Sequence, residues 1–87
     1  MEVTFYGSIK KHTNGDKIFS PKTTHQTLRE LLGELGEFYG EDFSCFLQSD
    51  ETCLILINGK GIALSGGIDS ILRAGDKVEI LPFVEAG

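Results

Sequence analysis

Gly75-Asp76-Lys77-Val78-Glu79-Ile80-Leu81-Pro82, close to the end of the chain, is the stretch on which the assembly of the rest turns. Val78 and Ile80 alternate with charged Lys77 and Glu79, the period-two pattern of a half-buried strand with its apolar side toward a core. Pro82 lacks a ladder donor and fixes its own φ, so regular pairing is expected to stop there. At the other end of the chain Val3 and Phe5 alternate with Thr4 and Tyr6 in the same way. If the last strand lies beside the first, the two pair in parallel and both become central in the sheet.

The intervening segments supply what such a sheet needs. Lys17-Ile18-Phe19-Ser20 is a short second strand, reached through a polar stretch that carries the turn pair Asn14-Gly15. Thr24 is the expected N-cap of a helix, because its hydroxyl can accept an orphan amide of the first turn. Leu28, Leu31, Leu32, Leu35, Phe38 and Tyr39 then recur at helical spacing and form one apolar stripe. Gly33 and Gly36 each cost about 1 kcal/mol against alanine in a helix, so the helix is expected to end or loosen at Gly36. Phe43, Phe46 and Leu47 suggest one further helical turn. Thr52-Cys53-Leu54-Ile55-Leu56-Ile57 is a continuous apolar run, expected to be buried on both faces in mid-sheet. Asn58-Gly59 favours a tight turn after it, since both residues tolerate positive φ. Gly61-Ile62-Ala63-Leu64 follows as a short strand, and Ile68, Ile71 and Leu72 suit a single helical turn. The order β-β-α-β-β-β gives an α+β architecture, with a mixed sheet and one main helix packed on one face.

The 87 residues allow one domain. A chain this short buries only about 60–65% of its unfolded-state surface. Thirteen acidic against eight basic residues give a net charge of −5, which argues against nucleic acid, where a cationic footprint displaces counterions. The acidity serves solubility or steers the chain toward basic docking faces, and composition does not separate the two. No apolar run reaches the roughly 18 residues of a membrane span, and the N-terminus has no signal-peptide core. A cytoplasmic location is expected. Cys45 and Cys53 both sit in apolar sequence and are expected as reduced core thiols, with no metal site or disulfide framework. His12 and His25 are expected on the solvated surface, and Glu34, Glu37, Glu41 and Asp42 form a solvated face.

Residues 1–81 are thus expected to form the domain, and 82–87 a flexible tail. By shape alone Phe83-Val84-Glu85-Ala86-Gly87 is a frayed end. Its chemistry suggests more. A carboxylate on a narrow peptide can be threaded into another protein's active site, and glycine, without a Cβ, lets the backbone lie close to a nucleotide.

Leu56-Ile57-Asn58-Gly59, Gly67-Ile68-Asp69-Ser70-Ile71-Leu72 and Gly75-Asp76-Lys77-Val78-Glu79-Ile80-Leu81-Pro82, in this order and spacing, resemble the small subunit of molybdopterin synthase and related ubiquitin-like sulfur carriers. The resemblance runs over essentially the whole chain and implies a ubiquitin-like β-grasp fold. It also implies that an ATP-dependent activating enzyme adenylates Gly87. Sulfur from a donor such as a cysteine desulfurase then converts Gly87 to a thiocarboxylate. Val84, Glu85 and Ala86 would enter the partners' active sites, where the large catalytic subunit of a molybdopterin-synthase-type complex takes the sulfur. Tyr6, Leu81, Pro82 and Phe83 match the family's docking patch by position. Tyr6 and Leu81 also have a warrant of their own: if Val3, Phe5, Val78 and Ile80 face the helix, these two face away from it. On this reading the chain is no enzyme by itself and binds no cofactor or metal; ATP is used by the activating enzyme. Two departures are visible. The family usually ends Gly-Gly where this chain has Ala86-Gly87, and Phe83 stands where a second proline is common.

Two other functions share these features. A ubiquitin-like modifier would join Gly87 to lysines of target proteins, and a β-grasp binding module would use no tail chemistry. Other classes fail on residue supply. Two cysteines are too few for an iron–sulfur cluster, and the Gly59-Lys60-Gly61 and Gly66-Gly67 stretches lack the phosphate-loop pattern.

Overall fold

The computed structural model describes residues 1–21, 27–48, 53–64 and 66–82. Strand β1 (Glu2–Phe5) leads through a 3-10 helix (Gly7–His12) to β2 (Ile18–Phe19). Two helices follow, α1 (Leu28–Tyr39) and α2 (Glu41–Leu47). The chain then returns to the sheet as β3 (Cys53–Ile57), β4 (Lys60–Gly61) and β5 (Lys77–Pro82). Sheet order is β2-β1-β5-β3-β4, with β1 and β5 parallel and the other pairs antiparallel. The expected parallel closure of the last strand on the first is present, as is the short second strand, and the polar stretch before it holds an unforeseen 3-10 helix. This is the β-grasp arrangement, an α+β fold.

Register explains the core. Phe19, Val3, Val78 and Ile57 lie in one cross-strand row, and Phe5, Ile80 and Ile55 in the next such row. All of them are buried, and Val3, Val78 and Ile80 have no exposed surface. Facing them, Leu28, Leu31, Leu32 and Leu35 are at most 1% exposed. Burial of a leucine is worth roughly 1.5–3 kcal/mol, so these four and the strand rows are the main stabilising block. Phe5 meets Tyr39 and Phe43 edge-on, at centroid distances of 5.8 and 6.0 Å. Among the described residues no buried side-chain polar atom lacks a hydrogen-bond partner.

Several sequence expectations need correction. The helix cap is Thr27, not Thr24, which lies outside the described residues. Thr27 Oγ1 accepts from the Glu30 amide while the Glu30 carboxylate accepts from the Thr27 amide, at 3.3 and 3.0 Å. That reciprocal box satisfies two orphan donors. The helix does not stop at Gly36, because α2 packs against it there: a Cβ on Gly36 would lie 2.8 Å from Ser44 Cβ. Packing, not propensity, placed that glycine. Phe38 leaves the stripe and is 60% exposed, its ring tilted against Phe19. Cys45 is exposed and only Cys53 is buried. In α2 the buried pair is Phe43 and Leu47, four residues apart, which turns Cys45 outward.

The run at β3 is not buried on both faces. Cys53, Ile55 and Ile57 are buried, but Leu54 is 40% exposed and Leu56 is half-buried. The helices cover only one side of the sheet. The Asn58-Gly59 turn follows as expected, with φ of 52° and 84°, the positive pair of a tight hairpin. Asn58 is held further by its amide donating to Asp76 at 3.0 Å and accepting from the Lys77 amide at 3.0 Å. Strand β4 ends at Gly61; the next three residues form a 3-10 turn, with Ile62 packed back onto the core. The turn expected around Ile68 to Leu72 stops at Asp69. Beyond it the chain is extended, so Ile71 faces out, bridging to Thr27, while Leu72 is buried. Pro82 pairs with Cys53 as the last residue of β5, one position past the expected boundary at Leu81. Its missing amide sits where the β1 ladder has already ended.

Candidate functional site: the open sheet face and the root of the tail

The uncovered face of the sheet is built by the residues between the core rows. Ile18, Thr4, Glu79 and Leu56 form one outward row. The next begins with the Leu81–Leu54 pair of β5 and β3. Tyr6, one residue beyond the Phe5–Ile80 pair, is level with Leu81 on the other side. Its amide donates to the Ile80 carbonyl at 3.0 Å, which continues the ladder past the formal end of β1. The result is an apolar line, Tyr6–Leu81–Leu54, across the three central strands at the end where the chain leaves β5.

Exposure within this line is graded. Tyr6 is 38% and Leu54 40% exposed, with Leu81 and Pro82 half-buried beside them. Tyr6 is also fixed in direction. Its hydroxyl donates to Glu79 Oε2 at 2.8 Å, and that bond, followed by desolvation, raises the phenol above its ordinary pKa. A flat apolar line with one anchored aromatic suits a protein partner better than a small molecule, which needs a concave site.

The expected docking residues Tyr6 and Leu81 are therefore brought together on this face, and Pro82 sits at its end with its ring on the helix side, paired with buried Cys53. Phe83, Val84, Glu85, Ala86 and Gly87 lie outside the described residues. Leu54 was missed. Its signal was hidden in a run of five apolar residues, where only knowledge of which face the helices cover separates Leu54 from Ile55. Among the described residues no group of His, Cys, Asp or Glu could hold a metal ion, and no helix is long and apolar enough to cross a membrane. His12 is exposed but not merely solvated: its ring stacks on Phe46 at a centroid distance of 4.4 Å. His25 lies outside the described residues.

Comparison with known proteins adds independent weight. An Archaeoglobus fulgidus protein called "Putative sulfur carrier protein" is 29% identical over 65 residues, covering 70% of this chain and 74% of that protein. Mycobacterium tuberculosis CysO has a TM-score of 0.78 at 25% identity, with 95% of this chain and 98% of that one covered. The Helicobacter pylori complex of subunits 1 and 2 of molybdopterin-converting factor matches with a TM-score of 0.64 at 28% identity, over 99% of this chain and 96% of that one. The model of the ThiS family matches residues 3–87, from the first strand to the last glycine. With the strand order, the covered and open faces and this whole-length match in agreement, the chain belongs to the ThiS family.

Proposed function

We propose that this protein is a sulfur carrier serving molybdopterin-type cofactor synthesis, with Gly87 as the residue that bears the sulfur. The observation that carries the proposal is the apolar line Tyr6–Leu81–Leu54 at the root of a tail ending in glycine. A partner seated on that line would have residues 83–87 directed into its own active site. An activating enzyme joins the Gly87 carboxylate to the α-phosphate of ATP and releases pyrophosphate. The terminal sulfur of a persulfide formed by a cysteine desulfurase then displaces AMP to give an acyl disulfide, and a thiol attacks its outer sulfur, forming a new disulfide and releasing the thiocarboxylate. The carrier holds no catalytic group in this scheme and works in a cytoplasmic setting as the sulfur-donating subunit of a larger complex. Its likeness to the molybdopterin-converting factor assembly supports the choice of pathway.

Tyr6, Leu54, Leu81 and Pro82 dock the partner in this scheme, Phe83 leads away from them, and Val84, Glu85 and Ala86 pass through the channel. Ala86 adds one methyl group at the narrowest point, which selects for partners whose channel admits it. The test is to incubate the protein with ATP, a sulfur source and a cognate activating enzyme, then to measure its intact mass. Exchange of one oxygen for sulfur at the C-terminus supports the carrier. An unchanged mass with partner binding intact rejects it in favour of a binding module, and branched peptides on lysines of other proteins identify a modifier.

A further inference from the structure

On the far side of the sheet from β3, a groove of about 850 Å³ runs between β2 and α1. Its apolar part is made by Phe19 and Phe38, ring centroids 5.3 Å apart, with Ile18 at the lip. Ile18 and Phe38 are 52% and 60% exposed, two of the large apolar side chains that the core did not take up. Gly33 opens the wall of α1, since a Cβ built there meets no heavy atom within 4 Å. The rim is acidic: Asp16, Glu34 and Glu37 line it beside the capping Glu30, with no lysine or arginine among the described lining residues.

Beside the groove runs a free strand edge. Among the described residues β2 is the outermost strand on this side and pairs only with β1. The Phe5 amide donates to the Lys17 carbonyl at 2.8 Å, and Val3 is paired with Phe19. In an antiparallel ladder alternate residues turn their amide and carbonyl away from the partner strand. Ile18, lying between Lys17 and Phe19, therefore presents its N–H and C=O outward along the groove. Such an edge is a template for another chain.

We propose that this groove takes an extended segment of a partner protein bearing lysine or arginine, added as a strand beside β2. Two backbone hydrogen bonds to Ile18 set its register. Side chains two residues apart then share a side: on the side of α1 one apolar residue covers Phe19 and Phe38 in the space left at Gly33, and cationic residues two positions before and after it reach the carboxylates of the rim. The site is separate from the Tyr6–Leu81–Leu54 line, so a partner can hold the domain here while the tail is engaged elsewhere. Attraction to three carboxylates at an exposed rim makes the contact fast to form and sensitive to salt.

The test uses the full chain, labelled with nitrogen-15, titrated with a Lys-Ser-Val-Ser-Lys peptide and followed by amide chemical shifts. Binding is expected to move Ile18, Phe19, Gly33 and Glu37, and to weaken as salt is raised. A Glu-Ser-Val-Ser-Glu peptide is expected not to bind, and N-methylation of the valine and both serines to abolish binding by removing the bond to the Ile18 carbonyl in either strand direction. The double variant Glu34→Lys/Glu37→Lys is expected to weaken the lysine peptide by roughly tenfold or more and to favour the glutamate peptide. Gly33→Leu fills the wall gap while its own melting curve shows the fold retained, and it too is expected to block the peptide. The proposal is overturned if no shifts appear, or if they centre on Tyr6, Leu54 and Leu81. Equal binding by the N-methylated peptide, or an unchanged charge preference in the double variant, overturns it as well.

Discussion

The same substitution at two glycines of one helix should act with opposite signs. Gly33 and Gly36 lie three residues apart in α1, and alanine is favoured over glycine in a helix by about 1 kcal/mol at either position. At Gly33 nothing stands within 4 Å of the new methyl group, so the full propensity gain is expected. For a domain of 60–100 residues about 1 kcal/mol raises Tm by roughly 4–8 °C. At Gly36 the new Cβ would sit 2.8 Å from Ser44 Cβ and 3.3 Å from Ser44 Oγ. The Oγ can rotate away about χ1, but the Cβ cannot, because it is fixed to the backbone of α2. The helices must therefore separate, at a typical overpacking cost of about 1–3 kcal/mol, which outweighs the propensity gain. Gly36→Ala is thus expected to lower stability by about 1 kcal/mol net. Urea denaturation followed by circular dichroism measures both, and Ser44→Gly supplies the decisive control. On that background the clash is gone and Gly36→Ala should become stabilising, with the cost of the second glycine cancelling in the double-mutant cycle. If Gly36→Ala stabilises the wild-type background as much as Gly33→Ala does, the close approach of α1 and α2 is refuted.

Leu54→Glu and Leu81→Glu place charge on the open face without touching the core, so melting temperature should change little while affinity for the docking partner drops at least roughly tenfold; binding measured by calorimetry at wild-type strength would remove this face from the interface. Tyr39 is held well above the ordinary phenol pKa, by desolvation first and then by its hydrogen bond to Asp16. Its contribution is therefore complete below the unfolded value of about 10 and is lost as pH rises beyond that. The urea midpoint of wild type relative to Tyr39→Phe should accordingly fall from about pH 9 to about pH 11, and a difference independent of pH would contradict the shift. Thr27→Ala removes the hydroxyl half of the capping box and should cost about 1 kcal/mol in the same denaturation assay; no loss would mean that another group caps α1.

What the sequence disclosed depended on whether a signal was local. The alternation of Val3 with Phe5 and of Val78 with Ile80, the leucines of α1 and the positive-φ pair Asn58-Gly59 each depend on neighbours in the chain, and all were legible. Features set by packing between distant segments were not. Leu54 and Ile55 are equally apolar, and only the one-sided cover of the sheet separates an exposed residue from a core residue. Cys45 looked buried because its neighbours are apolar, but helical geometry turns it away from Phe43 and Leu47. Gly36 looked like a helix terminator and is a contact point, since the serine that explains it belongs to another helix. The capping threonine was misplaced by three residues for a related reason: Glu30 completes a box with Thr27, and Thr24 competed on residue type alone. At the candidate site Tyr6 and Leu81 were found from alternation, and their junction with Leu54 needed the register of β5 on β3.

The parallel pairing of β1 and β5 also has a mechanical consequence. The chain enters β1 at one end of the pair and leaves β5 at the opposite end. Tension applied between Met1 and Pro82 therefore slides the two strands along each other. Every bond from the Glu2–Lys77 pair to the Tyr6–Ile80 contact is loaded at once, whereas a hairpin pulled at its open end would lose its bonds singly. Under the proposed function, a partner drawing on the end of the chain would thus pull on a clamp, with the domain as a rigid handle.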